Sequence, residues 1–260
     1  MDIRLRRSPL YLEYTMDKII PSEYKLPVKV ASYDVGANDV MRLSAVLRYQ
    51  QEAGEQHLVD AGLGWQALMQ TGMVFVTSRW HTLIRRLPAM EEQVTLATWH
   101  RYRKGPRFIR GYQWRDAEGN VLIEGVMQFA LVSVTEHRLL RGDELAGAAL
   151  LPDNGTPIHC SDPARFPVSG VEPVGEYRVR WSDIDRNGHM NNTHYADLML
   201  DGLSAERLAG QPAEVDLHFA GECRLGDTLT LSACEAEGVT TVTGDTARGR
   251  SFAARIRWGE

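Results

Sequence analysis

The chain has 260 residues, 43% of them apolar and 24% charged, an ordinary globular balance that excludes disorder, collagen and coiled coil and fits one large domain or two small ones. A net charge of −5 supplies no global positive field for phosphates, which excludes a general nucleic-acid binder. No apolar run approaches the roughly 18 residues of a membrane helix, so no integral membrane segment is expected; three scattered cysteines, Cys160, Cys223 and Cys234, make neither a disulfide framework nor a zinc knuckle and fit a reducing compartment. In chain order, residues 1–23 read as an N-terminal extension. Arg4, Arg6 and Arg7 precede no continuous apolar stretch, so this is not a secretory signal, and a cytoplasmic protein is expected.

Residues 24–134 form a first module. Tyr24, Leu26, Val28 and Val30 alternate as in a half-buried strand. A helix follows over about residues 42–61, with Leu43, Val46, Leu47, Gln50 and Ala53 at helical spacing. Strands are then predicted over 73–87, 92–103, 108–116 and 121–134, the last two joined by a turn at 116–120. Residues 135–173 hold five prolines and several glycines and read as a linker or crossover. Residues 174–260 repeat the plan: a strand with Tyr177, Val179 and Trp181 on one face, a helix over about 192–207, and strands over 214–223, 228–235, 239–243 and 251–258.

The two modules also match directly. Lys29-Val30-Ala31-Ser32-Tyr33-Asp34-Val35 aligns with Arg178-Val179-Arg180-Trp181-Ser182-Asp183-Ile184 at a constant offset of 149, and Asn38 falls on Asn187 and Met41 on Met190. Farther on the offset shrinks to 135, where Val94 and Leu96 match Leu229 and Leu231. A few strands cover one long helix only by curling around it, so the expected architecture is an α+β fold: a sheet wrapped on a central helix, used twice.

The densest polar cluster runs from Asp183 to Asn192 between a predicted strand and helix, a junction where a rigid scaffold holds a loop open to substrate. If that loop is extended, Asp185, Asn187 and His189 share one side and Ile184, Arg186 and Gly188 the other. A carboxylate, an amide and an imidazole in a row make an acid/base set, and the helix that follows offers free N–H groups to a developing negative charge. A capped helix start with an Asn-Gly turn accounts for part of the same pattern. Asn191 and Asn192 are read as caps, and His194 and His218 as surface or packing residues.

The run Asp183-Ile-Asp-Arg-Asn-Gly-His-Met-Asn-Asn-Thr-His-Tyr195 resembles the signature of plant and bacterial fatty acyl-acyl carrier protein thioesterases, which reads approximately Asp-x-Asp-x-Asn-x-His-hydrophobic-Asn-Asn-x-x-Tyr. Phe219-Ala-Gly-Glu222-Cys223-Arg224 and Ser32-Tyr33-Asp34-Val35-Gly36 are similar to two further stretches of that family. The resemblance implies a double hot-dog fold and hydrolysis of fatty acyl thioesters on acyl carrier protein, with coenzyme A esters as the alternative substrate and a non-catalytic acyl-binding protein as the alternative of another class. It implies Asp185, Asn187 and His189 as the catalytic loop, completed by Glu222. Cys223 stands where a papain-like nucleophile has been considered in that family. No metal or organic cofactor is implied.

At the two offsets, His189 corresponds to Val40, Asp185 to Gly36 and Glu222 to Leu87. One active site per chain is therefore expected, on the second module, with the first supplying an apolar pocket from Leu43, Leu47, Trp65, Met69, Met73 and Phe75. Two mechanisms compete. In one, Asp185 or Glu222 activates water or attacks directly, while Asn187 and His189 orient the water or the substrate. In the other, Cys223 attacks as thiolate with His189 as base and Asn187 as its orienter. The first is preferred, because a free cysteine commonly packs as a small hydrophobe and the Glu222 charge next door disfavours a thiolate.

A local basic run, His100, Arg101, Arg103, Lys104, Arg107 and Arg110, surrounds Gly105-Pro106. It is either a solvated hairpin end or a landing site for an acidic partner. Arg101, Arg103, Lys104 and Arg107 would suit the acidic surface and phosphopantetheine phosphate of a carrier protein. Pairing of two chains into a homodimer stays open, since a fused double copy already supplies one such pairing internally.

Overall fold

The computed structural model describes residues 21–145 and 154–259. The expectations for residues 1–20 and for Pro152 of the linker lie outside these. The first strand, β1 (Tyr24–Lys29), turns Lys25, Pro27 and Lys29 outward and buries Val28. Pro27 has no N–H to give a neighbour, which confines such a strand to a sheet edge, and β1 pairs only with β3 (Gln93–Lys104). Between them come α1 (Leu43–Asp60), a short helix α2 (Trp65–Gln70) and β2 (Met73–Ile84). Then follow β4 (Arg107–Arg115), β5 (Val121–Ser133) and the two-residue β6 (Arg138–Leu139) on β5. The second half is built of β7 (Glu172–Arg178), α3 (Asn192–Asp201), α4 (Ala205–Leu208), β8 (Pro212–Phe219), β9 (Thr228–Ala236), β10 (Val239–Thr246) and β11 (Gly249–Trp258).

All eleven strands belong to one sheet, in the order β1-β3-β4-β5-β2-β8-β11-β10-β9-β7 with β6 beside β5. The halves are joined at its centre, where β2 and β8 pair antiparallel from Arg79↔His218 to Leu83↔Glu214. One core runs across that seam. It takes Val46 and Leu47 from α1, Ala196 and Met199 from α3, and Trp80 and Leu217 from the two seam strands, and α1 packs directly on α3.

The linker crosses the other face of the sheet. Cys160 packs against Ile109 and Val126, Arg79 donates to the Pro163 carbonyl, and His218 Nε2 donates to Ala164 O at 2.8 Å while its ring packs at a tilt against Phe166, centroids 4.2 Å apart. This second cover explains why β4 and β5 are buried almost without alternation, the pattern of strands enclosed on both faces.

The internal repeat is visible bond by bond. Arg42 N donates to Asp34 O, as Asn191 N does to Asp183 O. Met41 N donates to Pro88 O, as Met190 N does to Cys223 O. A buried aspartate anchors each copy: Asp34 accepts from the Tyr49 hydroxyl and Asp183 from the Tyr177 hydroxyl, both at 2.8 Å. Burial and these bonds push each tyrosine up to about 12.

Four local expectations change. Trp181 does not extend the buried face of the strand; it opens a 3-10 turn and is 78% exposed. The second helix stops at Gly202 rather than near 207, and Ser204 caps a separate turn of helix by accepting from Arg207 N. β6 lies inside the predicted linker, and β7 begins at Glu172, just inside its far end. Helix α2 was not expected, because six residues carry too little periodicity.

Candidate active site

The loop between β7 and α3 is not extended. Gly188 N donates to Asp185 O at 3.0 Å and Asp185 N to His189 O at 3.0 Å, closing a tight turn from 185 to 189. The Asp185 carboxylate sets it by accepting from Asn187 N at 2.8 Å, the local bond that makes aspartate a turn former. Gly188 takes φ +82°, where a side chain is strained. The strict alternation expected for this loop is therefore replaced by a turn. Asp185, Asn187 and His189 nevertheless all line one cavity of about 1190 Å³, together with Glu222.

Hydrogen-bond partners fix the orientation of these groups. The Trp65 indole N–H, carried by α2 of the first half, donates to Asn187 Oδ1 at 3.0 Å. The amide NH₂ is thereby turned to Asp185, with Nδ2 3.4 Å from Oδ2. Arg186 stacks over the same indole, 5.1 Å from its centroid. His189 Nδ1 donates to Met190 O at 3.3 Å and lies 4.0 Å from Asp185 Oδ1. Nδ1 then carries a hydrogen. The Met190 N–H bond to Cys223 O, 2.8 Å, ties the Glu222 segment to the loop. Asn191 caps α3, its side chain accepting from Thr193 N, whereas Asn192 is already the first helical residue. His194 lies 3.9 Å from the buried Asp183.

Cys223 is 0% exposed and is not among the residues lining the cavity. Its neighbour Tyr195 is pushed above the ordinary tyrosine range by burial first and by its contact with Cys223 second.

The first half lines much of the rest of the cavity, with Trp65, Met69 and Phe75 among its residues, and Tyr195 and Phe219 of the second half join them. Leu43 and Leu47 belong to the main core instead. Met73, at the start of β2, packs into a satellite cluster with Leu63 and Leu68. The basic run is split by a β-bulge between His100 and Tyr102. His100 and Arg110 point inward and line the cavity. Arg101 pairs with Asp162 of the linker at 2.8 Å, and the stem of Arg103 lies along Gly142. Lys104 and Arg107 are exposed at the β3–β4 turn. Sequence reasoning missed the Trp65–Asn187 bond and the inward course of Arg110; both are tertiary and leave no local signal.

Among the described residues, His81, Glu214 and Asp216 bring potential metal-ligand atoms within 4.8 Å of one another. They are engaged otherwise: Glu214 accepts from Arg257 at 3.2 Å, Asp216 from Arg255 at 2.7 Å, and His81 Nδ1 donates to Ser161 O at 2.9 Å.

The model of the acyl-ACP thioesterase N-terminal domain matches residues 21–144, and that of the C-terminal domain matches residues 170–259. The chain belongs to the acyl-ACP thioesterase family. Its fold is the family's double hot-dog. The crystal structure of an acyl-ACP thioesterase from Bacteroides thetaiotaomicron superposes with a TM-score of 0.84 at 19% identity, over 92% of this chain and 98% of the other. The 12:0-ACP thioesterase from Umbellularia californica gives 0.81 at 20% identity, over 93% and 98%. In sequence, oleoyl-acyl carrier protein thioesterase 2, chloroplastic, of Arabidopsis thaliana is 26% identical over 85% of this chain and 66% of its own length. The chain thus spans just under two thirds of that relative. No helix among the described residues is long and apolar enough to cross a membrane.

Proposed function

We propose that this acyl-ACP thioesterase family member hydrolyses fatty acyl thioesters on acyl carrier protein, releasing free fatty acid and the carrier thiol and so ending chain elongation. The observation that carries the reading is a single cavity in which Asp185, Asn187, His189 and Glu222 share the lining with aromatic and apolar residues of the first half. A water held by Asn187 and His189 attacks the thioester carbonyl carbon. Its proton passes to a carboxylate, Asp185 with Glu222 as the second candidate, and the carbon–sulfur bond breaks to release thiolate. The buried position of Cys223 favours this over a thiolate nucleophile. The cytoplasm belongs to the same reading, supported by three cysteines that are all free thiols.

The test is hydrolysis across a panel of carrier-linked and coenzyme A-linked acyl chains. Carrier-linked chains are expected to be the better substrates. Equal or better use of coenzyme A esters would transfer the reading to an acyl-CoA thioesterase, and binding of fatty chains without hydrolysis of any ester would replace the enzyme by an acyl-binding protein.

Two variants probe the parts. Trp65→Phe keeps an aromatic ring at this place and removes the N–H that orients Asn187, together with part of the ring system. Turnover is expected to fall by up to about 10²-fold, as for a slightly misplaced catalytic group, with the melting temperature unchanged. Unchanged turnover would remove Trp65 from the positioning of Asn187. For the carrier, Lys104→Glu with Arg107→Glu should raise KM for carrier-linked substrate, by about tenfold for each 1.4 kcal/mol of lost pairing, and spare a small free thioester. Equal losses on both substrates would count against docking at this turn.

A further inference from the structure

Arg110, on β4, is 5% exposed and lines the same cavity as the catalytic loop. Its Nη1 donates to His57 Nδ1 at 2.9 Å and to Thr98 Oγ1 at 3.3 Å. His57 Nε2 donates to the Pro21 carbonyl at 2.8 Å, so that nitrogen carries the hydrogen and Nδ1 can only accept. Burial, and then the Arg110 charge, hold His57 below the ordinary histidine range, which keeps it neutral. Among the described residues no carboxylate pairs with Arg110. Glu55, an acid on the neighbouring helix, is engaged by the Trp65 backbone N–H at 2.8 Å.

A guanidinium does not deprotonate in proteins, and burying one without a counter-charge is costly. The surroundings nonetheless make room for it. α1 presents Gly54 here, where a Cβ would come within 3.0 Å of the Tyr112 hydroxyl and 3.5 Å of Arg110 Cδ. Tyr112 is fully buried beside it, and burial pushes its hydroxyl up to about 12, leaving a neutral donor next to the cation.

We propose that the Arg110 end of the cavity is an anion-recognising subsite that accepts acyl groups bearing a carboxylate remote from the thioester. The inference rests on the thioesterase reading for its substrate and not for its chemistry. A plain hydrocarbon end leaves the guanidinium uncompensated, whereas a carboxylate supplies the missing charge and accepts its remaining N–H groups, the fork geometry in which arginine binds carboxylates best. A terminal hydroxyl would meet the need for an acceptor without the charge.

The experiment compares kcat/KM of the full chain on carrier-linked acyl groups of equal length ending in methyl, hydroxyl or carboxylate. Calorimetric binding of the matching free monoacid and diacid accompanies it. The carboxylate-ended substrate is expected to be preferred over the methyl-ended one by at least about tenfold, with hydroxyl between, since a buried polar group discriminates strongly against a ligand that leaves it unpaired. Arg110→Met should invert the order, and Arg110→Lys should keep it with a smaller ratio. A wild-type preference for the methyl end, or a ratio that survives in Arg110→Met, overturns the proposal. If Arg110→Met does not fold, the wild-type calorimetry decides: a diacid bound no more tightly than the monoacid overturns it. If no thioester is hydrolysed at all, the thioesterase reading fails, and the same calorimetry still decides the subsite.

Discussion

Replacing Asp185 by asparagine is expected to lower kcat by about 10²–10⁴-fold, the contribution of a positioned general base, equivalent to about 3–5 kcal/mol of transition-state stabilisation. The substitution is nearly isosteric. The amide oxygen can still accept from Asn187 N, the 2.8 Å bond that closes the turn, so the loop should keep its shape and the melting temperature should hold. What is lost is the second acceptor facing Asn187 Nδ2, the negative charge 4.0 Å from His189 Nδ1, and a place for the proton of the attacking water. Cys223→Ala is the paired control. The thiol packs in the core and is 0% exposed, so its removal should cost modest stability and keep most of the activity. Steady-state kinetics on one carrier-linked substrate separates the alternatives. A dead Cys223→Ala beside an active Asp185→Asn would install the cysteine as nucleophile. If Asp185→Asn and Glu222→Gln were both active, neither carboxylate would be the base.

The second large effect concerns stability and falls at the centre of the sheet. Leu217 of β8 stands opposite Trp80 of β2, and both are 0% exposed. Leu217→Ala removes buried methyl groups and leaves a cavity that the large neighbouring ring fills poorly, a change that costs about 2–5 kcal/mol. For a chain of 260 residues each kcal/mol moves the melting temperature by about 2–4 °C, so a fall of roughly 4–20 °C is expected in thermal denaturation. One sheet and one core run through both halves, so the whole chain should melt in a single transition shifted as a unit. Two separated transitions, with only the second half shifted, would show that the halves unfold independently.

What could be read in advance follows the range of the interactions. The repeat was legible because it is written in short-range terms: an aspartate after each edge strand, the same hydrophobic alternation, and a helix after that aspartate in each copy. Its shrinking offset even set Leu87 against Glu222, and the equivalent bonds from Met41 to Pro88 and from Met190 to Cys223 follow that register. The seam was not legible, because nothing local to β2 or β8 names its partner. Trp65 was read as a pocket residue and does line the cavity, but its bond to Asn187 joins positions 122 residues apart. The basic run looked like one surface patch because a bulge at Arg101 and a linker over the outer face are invisible in a linear pattern; together they send His100 and Arg110 inward while Lys104 and Arg107 stay in water. Whether the loop at Asp185 is extended or turned was left open by the pattern; the Asn-Gly pair pointed to the turn that forms.

The fusion of the two copies has a consequence for how such a protein can change. In a pair of identical chains every substitution is made twice, so a residue that widens a pocket on one side also erases the acid on the other. A tandem chain is released from that constraint. Leu87 packs in the core of one copy while Glu222 lines the cavity in the other, and Gly54 and Arg110 shape the cavity with no counterpart required in the second copy.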